Sequence, residues 1–312
     1  MTDAPFQIEQ VGPGFAARVT GIDLREPLAA ESVQALEAAI WDHGVLVFPG
    51  QHLEQEQQVA FTEQFGELYC GVQMKLLKEQ NARMRHPALS EISNIGKDGE
   101  PVGPGYAMAN IAVGTWQWHS DAVYEDRPFR YSVLSSQVAV SWGGQTQFAD
   151  MRAAWDALDP RLQALVEGRE ATFYSHHNRH CLGLGDAAKW LRTHPPVRWP
   201  MVRRHPGSGR KVLWVDTRVI EISGMTVPEG RTLAADLVEH ATQRERVYSH
   251  DWVTGDVIMY DNRSVLHRAR RYDFNEPRHM RRVATIDDSR ALGQGDWPDY
   301  VLPAPGEGES PE

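Results

Sequence analysis

Hydrophobic residues recur with a helical period in four segments of the chain. In the first of them, Val33, Leu36 and Ile40 fall on one face, which predicts an amphipathic helix. Another segment follows Asp150, a residue type that caps helix N-termini, and runs through MRAAWDAL. Helices are accordingly predicted over about 30–42, 54–65, 151–158 and 228–242.

Short apolar runs bounded by glycine, proline, asparagine or aspartate predict a larger number of β-strands. They cover about 15–19, 44–50, 130–140, 211–215, 246–253, 256–261 and 281–287. The strands do not alternate regularly with the helices, so a doubly wound parallel sheet fits this order poorly. We therefore expect an α+β protein that is mainly β, with a double-stranded β-helix (jelly-roll) core and flanking helices.

Composition narrows the class of protein. The chain has 312 residues, of which 41% are hydrophobic and 24% charged, as in an ordinary well-packed globular protein. Its 32 basic and 42 acidic residues give a formal net charge of −10, which repels phosphate backbones, so nucleic acid is not an expected partner. The N-terminus lacks a signal-peptide pattern and no apolar run is long enough to span a bilayer, so we expect a cytoplasmic protein without membrane contact. Two cysteines, Cys70 and Cys181, are too few for a disulfide framework.

The strongest chemical signal is the sequence WHSD, which contains His119 and Asp121. A His-x-Asp pair at a strand end directs both side chains to one side, because strand side chains repeat every two residues. His267, which follows the run DVIMYDNRSVL, is the best candidate for a third ligand. Two histidines and one carboxylate leave three metal positions open, as in non-haem iron oxygenases. An isolated His-x-Asp pair is more often a hydrogen-bonded structural pair.

Two arginines downstream of His267 favour the metal interpretation. Arg278 and Arg282 are separated by an even number of positions at the predicted strand RRVATID. Their side chains should therefore point to the same side of the chain. A facial-triad enzyme that uses a keto-dicarboxylate needs a buried guanidinium to bind the distal carboxylate through two hydrogen bonds. The alternative is a solvated basic face, which is the more common role of a charge run.

A second group of histidines, His176, His177 and His180, also has metal-like spacing. Unlike the first group, it has no carboxylate or paired arginine nearby in the sequence. We expect these three residues to be structural or to line a pocket.

The chain resembles the taurine/2,4-dichlorophenoxyacetate dioxygenase family of Fe(II)/2-oxoglutarate enzymes over nearly its whole length, and within it the phenoxyacetate-degrading branch. The specific stretches are WHSD (118–121), GGQTQFADMRAAWDALDP (143–160), HPGSGRK (205–211), EHATQRE (239–245) and DNRSVLHRARRYD (261–273). The resemblance implies a single dioxygenase domain over 1–301, with a lid-like insert at about 69–115, and a homo-oligomer. The Pro/Gly/Glu-rich residues 302–312 are expected to form a disordered tail.

The same resemblance implies the roles of individual residues. Iron(II) would be ligated by His119, Asp121 and His267, with 2-oxoglutarate and O2 as co-substrates. Arg278 would bind 2-oxoglutarate with help from Thr146. Arg282 matches a second arginine, which in relatives faces either the co-substrate or an anionic group of the substrate.

We expect the substrate to be a small organic anion, and an aryloxyalkanoate is favoured. Arg282 and Lys75 offer positive charge, Trp116 and Tyr260 offer aromatic surface, and Thr115 is a further candidate contact. Hydroxylation next to the ether oxygen would cleave such a substrate to a phenol and an oxo-acid, with release of succinate and CO2. The family usually has Trp at the position of Tyr260, and the region from 69 to 115 matches it weakly.

Other functions stay open at this point. The same chemistry could act on a sulfonate, a sulfate ester or an amino-acid derivative. A zinc or manganese lyase or hydrolase would need the triad without the arginine clamp. A non-catalytic anion-binding protein would need neither.

Overall fold

The computed structural model describes residues 6–70, 83–96, 98–103, 113–175, 177–183 and 196–287. The helices are α1 (Ala30–His43), α2 (Gln55–Glu63), α3 (Met151–Asp156), α4 (Pro160–Val166), α5 (His177–Cys181) and α6 (Val227–Ala241), with a 3-10 turn at Arg244–Arg246. The strands are β1 (Gln7–Gln10), β2 (Ala17–Thr20), β3 (Val45–Phe48), β4 (Ser90–Ser93), β5 (Phe129–Val138), β6 (Thr146–Asp150), β7 (Glu170–Phe173), β8 (Val197–Pro200), β9 (Val202–Arg204), β10 (Lys211–Leu213), β11 (Val219–Ile222), β12 (Val247–His250), β13 (Val257–Asp261), β14 (Val265–Ala269) and β15 (His279–Ile286).

Two sheets form the core of the fold. The larger has seven strands in the order β1-β2-β3-β13-β5-β15-β4, and the smaller has three in the order β12-β6-β14. All of these pairings are antiparallel except that of β2 with β3. Side chains of both sheets meet in one buried cluster, where Ile258 and Leu134 of the larger sheet join Phe148 and Val265 of the smaller. This is the predicted jelly-roll core.

The two faces of strand β3 pack in two different apolar clusters. Val45 and Val47 belong to the cluster between the sheets, whereas Leu46 and Phe48 belong to a cluster on the opposite face. A strand covered on both sides has no polar face, which explains the unbroken apolar run VLVF. Leu36 of α1 and Phe61 of α2 cover that outer face.

The predicted helices are confirmed, with small shifts at their ends. Helix α1 ends at Gly44, whose left-handed backbone (φ 70°) lets its N–H reach the carbonyl of Ile40 at 2.7 Å. Asp150 caps α3 as expected, because its side chain accepts from the backbone N–H groups of Arg152 and Ala153. Helix α6 begins after Thr226, which forms a capping box with Glu229.

The pattern did not predict eight of the strands: β1, β4, β6, β7, β8, β9, β11 and β14. Each has three to five residues, too few for a period of two to stand out. Two small sheets, β8-β7-β11 and β9-β10, contain four of them. These small sheets pack with α3 and α6 around a second core that includes Trp155, Trp199 and Leu237.

Some sequence predictions fall partly outside the described residues. These are the domain boundary at 301, the tail 302–312, Lys75, His176 and parts of the insert 69–115. Within the described part of the chain, no helix combines the length and apolar character needed to cross a membrane.

Candidate active site

The three predicted ligands meet where the segment before β5 pairs with β14. The backbones of His119 and His267 form an isolated antiparallel bridge, with N–O distances of 3.0 and 2.8 Å. Directly opposed residues bring their side chains together, and the two imidazole centroids are 4.2 Å apart. One ligand atom from each of His119, Asp121 and His267 lies within 4.8 Å of the others. All three side chains are buried.

The carboxylate of Asp121 receives hydrogen bonds on both oxygens. The hydroxyl groups of Tyr260 and Ser132 donate to Oδ2 at 2.9 and 3.1 Å, and Nη1 of Arg282 donates to Oδ1 at 2.7 Å. Burial raises the pKa of Asp121, but the positive charge of Arg282 and the hydrogen bond from Tyr260 place the pKa below its ordinary value. Asp121 is therefore ionised and held in one orientation.

Both histidines direct Nε2 towards the carboxylate of Asp121. Nδ1 of His119 donates to the carbonyl of Gln117 at 2.7 Å, which leaves Nε2 with its lone pair, 4.0 Å from Oδ1 of Asp121. Nε2 of His267 lies 3.8 Å from Oδ2. Burial lowers the pKa of His119 well below its ordinary value and the pKa of His267 to about 4. Two neutral imidazoles and one carboxylate are the donor set that non-haem iron prefers.

The turn between β13 and β14 holds the segment that carries Asp121 through hydrogen bonds. Oδ1 of Asn262 accepts from the backbone N–H of Asp121 at 3.2 Å, and the carbonyl of Asn262 accepts from Ser120 Oγ at 2.8 Å. Asp261 fixes this turn, since its carboxylate accepts from Nε and Nη2 of Arg263 at 2.8 and 2.7 Å. The DNR sequence thus acts as a structural support for the ligands.

Arg278 lies directly before β15 and is only 5% exposed. Among the described residues no carboxylate lies within ion-pair distance of its guanidinium group; Nη2 donates to the carbonyl of Gly144 at 3.2 Å. Burial lowers the pKa of Arg278, yet an arginine keeps its charge at any ordinary pH. A buried guanidinium without a counter-charge fits an anionic ligand, and a carboxylate matches its paired donors.

Two further residues fix the position of Arg278. A Cβ at Gly144 would lie 2.9 Å from Val140 Cγ2 and 3.3 Å from Arg278 Nε, and the residue has φ +69°, so glycine is required there. Asn94 accepts from the backbone N–H of Arg278 at 2.7 Å. The amide of Asn94 donates to the carbonyls of Phe274 and Glu276, which holds the turn before Arg278.

Thr146 and His267 share one face of the smaller sheet. Thr146 pairs with Ala269 and Phe148 pairs with His267, so the two side chains are separated by two residues along antiparallel strands. At about 3.3 Å per residue this is a distance of about 7 Å. The four C–C bonds of about 1.5 Å between the carboxyl carbons of 2-oxoglutarate span about 5 Å. The interval suits a molecule that reaches from Arg278 and Thr146 to the triad.

The predicted substrate contacts occupy different places. The indole of Trp116 lies 6.0 Å from the ring of Phe274, and its N–H is buried without a hydrogen-bond partner among the described residues. The carbonyl of Thr115 accepts from the N–H of Ala269 at 2.9 Å. Tyr260 is 1% exposed and directs its hydroxyl to Asp121, where Arg282 also binds. Lys75 lies outside the described residues. Contact of these residues with a substrate stays a prediction.

Sequence patterns did not identify several residues around the site. Nη1 of Arg218 donates to the carbonyl of Ser120 at 2.8 Å, and its Cζ lies 5.0 Å from the ring of Tyr124. Neither residue belongs to a motif whose chemistry is evident in the sequence. His177 and His180 are on α5 and do not join the triad.

Together, a buried facial triad and a buried guanidinium for which the described residues offer no carboxylate are the features of a non-haem iron site that binds 2-oxoglutarate. The family described as "Taurine catabolism dioxygenase TauD, TfdA family" matches residues 7–284. The chain belongs to this family.

Individual relatives agree with that assignment. The alpha-ketoglutarate-dependent 2,4-dichlorophenoxyacetate dioxygenase of Cupriavidus pinatubonensis is 44% identical over 281 residues, which cover 89% of this chain and 96% of the relative. The (S)-phenoxypropionate/alpha-ketoglutarate-dioxygenase of Sphingobium herbicidovorans is 35% identical over 284 residues, covering 88% and 93%. The crystal structure of AAD-2 in complex with Mn(II) and N-oxalylglycine has a TM-score of 0.82 at 38% identity, covering 91% of this chain and 97% of that one.

These similarities confirm the main predictions from sequence. The protein is an oxidoreductase of the 2-oxoglutarate-dependent dioxygenase class, with Fe(II) as metal and 2-oxoglutarate and O2 as co-substrates. The roles of individual residues rest on the geometry described above, and they are proposals.

Proposed function

We propose that this dioxygenase oxidises an aryloxyalkanoate and cleaves its ether bond. His119, Asp121 and His267 hold the iron, and Arg278 with Thr146 holds the distal carboxylate of 2-oxoglutarate. The observation that carries the proposal is the buried guanidinium of Arg278, which bonds the carbonyl of Gly144 near the start of β6 and has no carboxylate partner in the described part of the chain. Thr146 of β6 lies on the same sheet face as His267. A zinc hydrolase on the same triad would have no use for such a charge.

When bound, iron and 2-oxoglutarate convert O2 into an oxidant that replaces a substrate C–H bond with C–OH, while 2-oxoglutarate becomes succinate and CO2. The chain itself supplies position and protection from water. Tyr260, Ser132 and Arg282 fix the carboxylate of Asp121, and burial of all three ligands excludes bulk solvent.

The names of the Cupriavidus and Sphingobium relatives support the choice of substrate, since both enzymes act on phenoxyalkanoates. In such a molecule the reacting carbon lies between an ether oxygen and a carboxylate. The carboxylate must therefore bind close to the iron ligands. Arg282 is suited to this because one nitrogen is bound to Asp121 and the guanidinium has further donors, with the side chain 22% exposed.

The chemistry after hydroxylation needs no further group of the protein. A hydroxyl on the carbon next to the ether oxygen creates a hemiacetal. The hemiacetal O–H proton is lost and the C=O bond forms. The bond between this carbon and the ether oxygen breaks, so that the phenolate leaves with that oxygen and takes up a proton. The products are a phenol and an oxo-acid, and no oxidant beyond O2 is consumed.

The experiment supplies enzyme with Fe(II), ascorbate and 2-oxoglutarate and measures succinate and phenol together across four anion classes. The classes are aryloxyalkanoates, alkyl sulfonates, alkyl sulfate esters and N-acyl amino acids. We expect one phenol per succinate with aryloxyalkanoates and the highest kcat/KM for that class. Succinate coupled to turnover of another class, with no phenol from any aryloxy acid, would contradict the proposed substrate and leave the reaction class intact.

We propose further that the protein is a cytoplasmic homo-oligomer. Trp142 and Val253 are 72% and 64% exposed on neighbouring loops, where the N–H of Ala139 bonds the hydroxyl of Thr254. Large exposed apolar side chains that lie together are typical of subunit contacts.

Free, exposed Cys70 and Cys181 are compatible with a reducing compartment. Light scattering of the purified protein and fractionation of producing cells test the two statements; a monomer or an exported protein would contradict them.

A further inference from the structure

Trp252 makes a direct contact with the proposed co-substrate site from the turn between β12 and β13. Its indole Nε1 donates a hydrogen bond to the hydroxyl oxygen of Thr146 at 2.9 Å. Thr146 is 4% exposed, so this bond is shielded from water. The partner of this indole N–H is therefore one of the residues proposed to bind 2-oxoglutarate.

The direction of this bond determines what Thr146 can do. A threonine hydroxyl carries one proton and two lone pairs, and the indole N–H can only donate. Trp252 therefore occupies a lone pair, and the proton of Thr146 must point to another acceptor. The guanidinium of Arg278 reaches the same end of β6 through its bond to Gly144, and it offers no acceptor. An incoming carboxylate supplies one.

We propose that Trp252 is a positioning residue that commits the Thr146 hydroxyl to donate to the distal carboxylate of 2-oxoglutarate. This inference rests on the proposed function, because it takes Arg278 and Thr146 as the co-substrate clamp. In water a hydroxyl rotates among acceptors. With one lone pair held by the indole, the ligand meets a donor that is already oriented, which reduces the entropic cost of binding.

The indole is itself held by neighbouring groups. The ring of His250 lies 4.7 Å from that of Trp252 in an edge-to-face arrangement of 84°. Nε2 of His250 donates to Asp256 Oδ2 at 3.1 Å, and Nδ1 lies 3.2 Å from the hydroxyl of Tyr248. These contacts fix the imidazole ring against the indole.

Asp256 also closes the turn that carries Trp252. Its Oδ2 accepts from the N–H of Val253 at 3.1 Å, and its own N–H bonds the carbonyl of Val253. Burial raises the pKa of Asp256, but hydrogen bonds from His250 and Val253 outweigh it and lower the pKa. Asp256, His250 and Trp252 thus form a continuous support that ends at the Thr146 hydroxyl.

The test measures binding of 2-oxoglutarate by calorimetry to the full-length protein loaded with Mn(II), so that no turnover is needed. W252F removes the indole N–H, T146V removes the hydroxyl, and the double variant removes both. Loss of one neutral hydrogen bond predicts about a 3–10-fold weaker Kd for W252F. Because Trp252 acts through Thr146, the double variant should bind no more weakly than T146V alone. T146S keeps the hydroxyl and should retain most of the affinity.

Kinetics give a second measurement. With W252F, the KM for 2-oxoglutarate should rise by a larger factor than kcat falls, and the KM for the aryloxy substrate should change less. W41F is the matched control, because the indole N–H of Trp41 on α1 also donates one hydrogen bond, to the hydroxyl of Tyr131 rather than to Thr146. If W252F does not fold, W252L provides the same loss of the donor.

Two results would overturn the inference. One is a W252F variant that binds 2-oxoglutarate as tightly as wild type while T146V binds weakly. The other is a double variant whose loss equals the sum of the single losses, which would give Trp252 a separate role. A wild-type protein with Mn(II) that does not bind 2-oxoglutarate would instead contradict the proposed function, so the two failures are distinct.

Discussion

The hydroxyl of Tyr260 donates a 2.9 Å hydrogen bond to Oδ2 of Asp121, and it also lies 3.4 Å from Nε2 of His267. Tyr260 is on the inner face of β13, opposite Ser132 of β5, which bonds the same carboxylate oxygen. Burial, followed by the negative charge of Asp121, raises the pKa of Tyr260 well above its ordinary value, so the residue is a phenol donor. One side chain thus connects two of the three metal ligands.

Y260F should weaken metal binding without unfolding the protein. Groups that orient metal ligands typically contribute 10-fold or more, and we expect the Kd for Mn(II) to rise about 10-fold. Calorimetric titration of Mn(II) measures this directly. Y248F is the matched control, because that hydroxyl lies next to His250 rather than a ligand. Equal Mn(II) affinity in Y260F and wild type would contradict the orienting role.

R278A should lose most of the affinity for 2-oxoglutarate while it keeps its affinity for Mn(II). Charge-assisted hydrogen bonds contribute about 1.5–3 kcal/mol, so the Kd for 2-oxoglutarate should rise about 10–100-fold. Calorimetry with Mn(II)-loaded protein provides the measurement. R270A is the control, because Arg270 is exposed near the same loop. A wild-type Kd in R278A would mean that another group binds the distal carboxylate.

N94A should destabilise the fold and weaken co-substrate binding together. The side chain of Asn94 is 1% exposed and makes hydrogen bonds to Phe274, Glu276 and Arg278. Leaving buried backbone groups unpaired costs about 1–3 kcal/mol each, so we expect a loss of about 2–3 kcal/mol in the free energy of unfolding by urea.

N275A is the control for that measurement, because Asn275 is exposed on the same turn. It should leave both quantities near wild type. An N94A protein of wild-type stability would show that these bonds do not hold the turn.

His177 should make the stability of the protein depend on pH. Burial, with Arg231 and His180 adding positive potential, lowers the pKa of His177 to about 4 in the folded state. The unfolded chain has an ordinary pKa of about 6.5, so it takes up a proton as pH falls from about 6.5 to 4 while the folded protein does not. The free energy of unfolding therefore decreases through this window.

Since the imidazole of His177 is partly exposed, we expect its share of that decrease to be about 1–2 kcal/mol. H177Q should show a smaller decrease than wild type in urea unfolding at pH 7.5, 6 and 5. H180Q removes the smallest of the three contributions that lower the pKa of His177 and should change the slope less than H177Q does. Identical slopes for H177Q and wild type would refute the neutral state of His177 in the folded protein.

Much of the fold follows from local patterns. Apolar periodicity located α1, α2 and α6, and the longer strands β5, β13 and β15 were evident from their turn residues. The shorter strands could not be predicted, because their pairing depends on partners far away in the chain. β4 illustrates this, since its SEIS sequence has little apolar character and its partner β15 lies almost two hundred residues later.

The grouping of His119, Asp121 and His267, which the structure brings together, could be predicted for a different reason. Only Ser120 separates His119 from Asp121, and such a spacing can place two side chains on one side of the chain. Asn94 and Trp252 gave no such signal, because each acts through hydrogen bonds to residues of a distant segment. Only the folded geometry reveals that one supports Arg278 and the other supports Thr146.

The contacts of Tyr260 also could not be deduced from the sequence. In the sequence it is one aromatic residue within a buried strand, and we predicted it as part of a substrate-facing wall. The structure directs its hydroxyl to Asp121 because the register of β13 with β5 places it opposite Ser132. Register is a property of the whole sheet and cannot be deduced from one strand.

The most direct test of the central claim is a crystal structure of the protein grown with Mn(II) and N-oxalylglycine, an analogue of 2-oxoglutarate. We predict an anomalous manganese peak within coordination distance of His119 Nε2, His267 Nε2 and the carboxylate of Asp121. The distal carboxylate of the analogue should lie against Arg278 and the hydroxyl of Thr146. A metal bound away from this triad, or an analogue whose distal carboxylate turns from Arg278 to Arg282, would contradict the account.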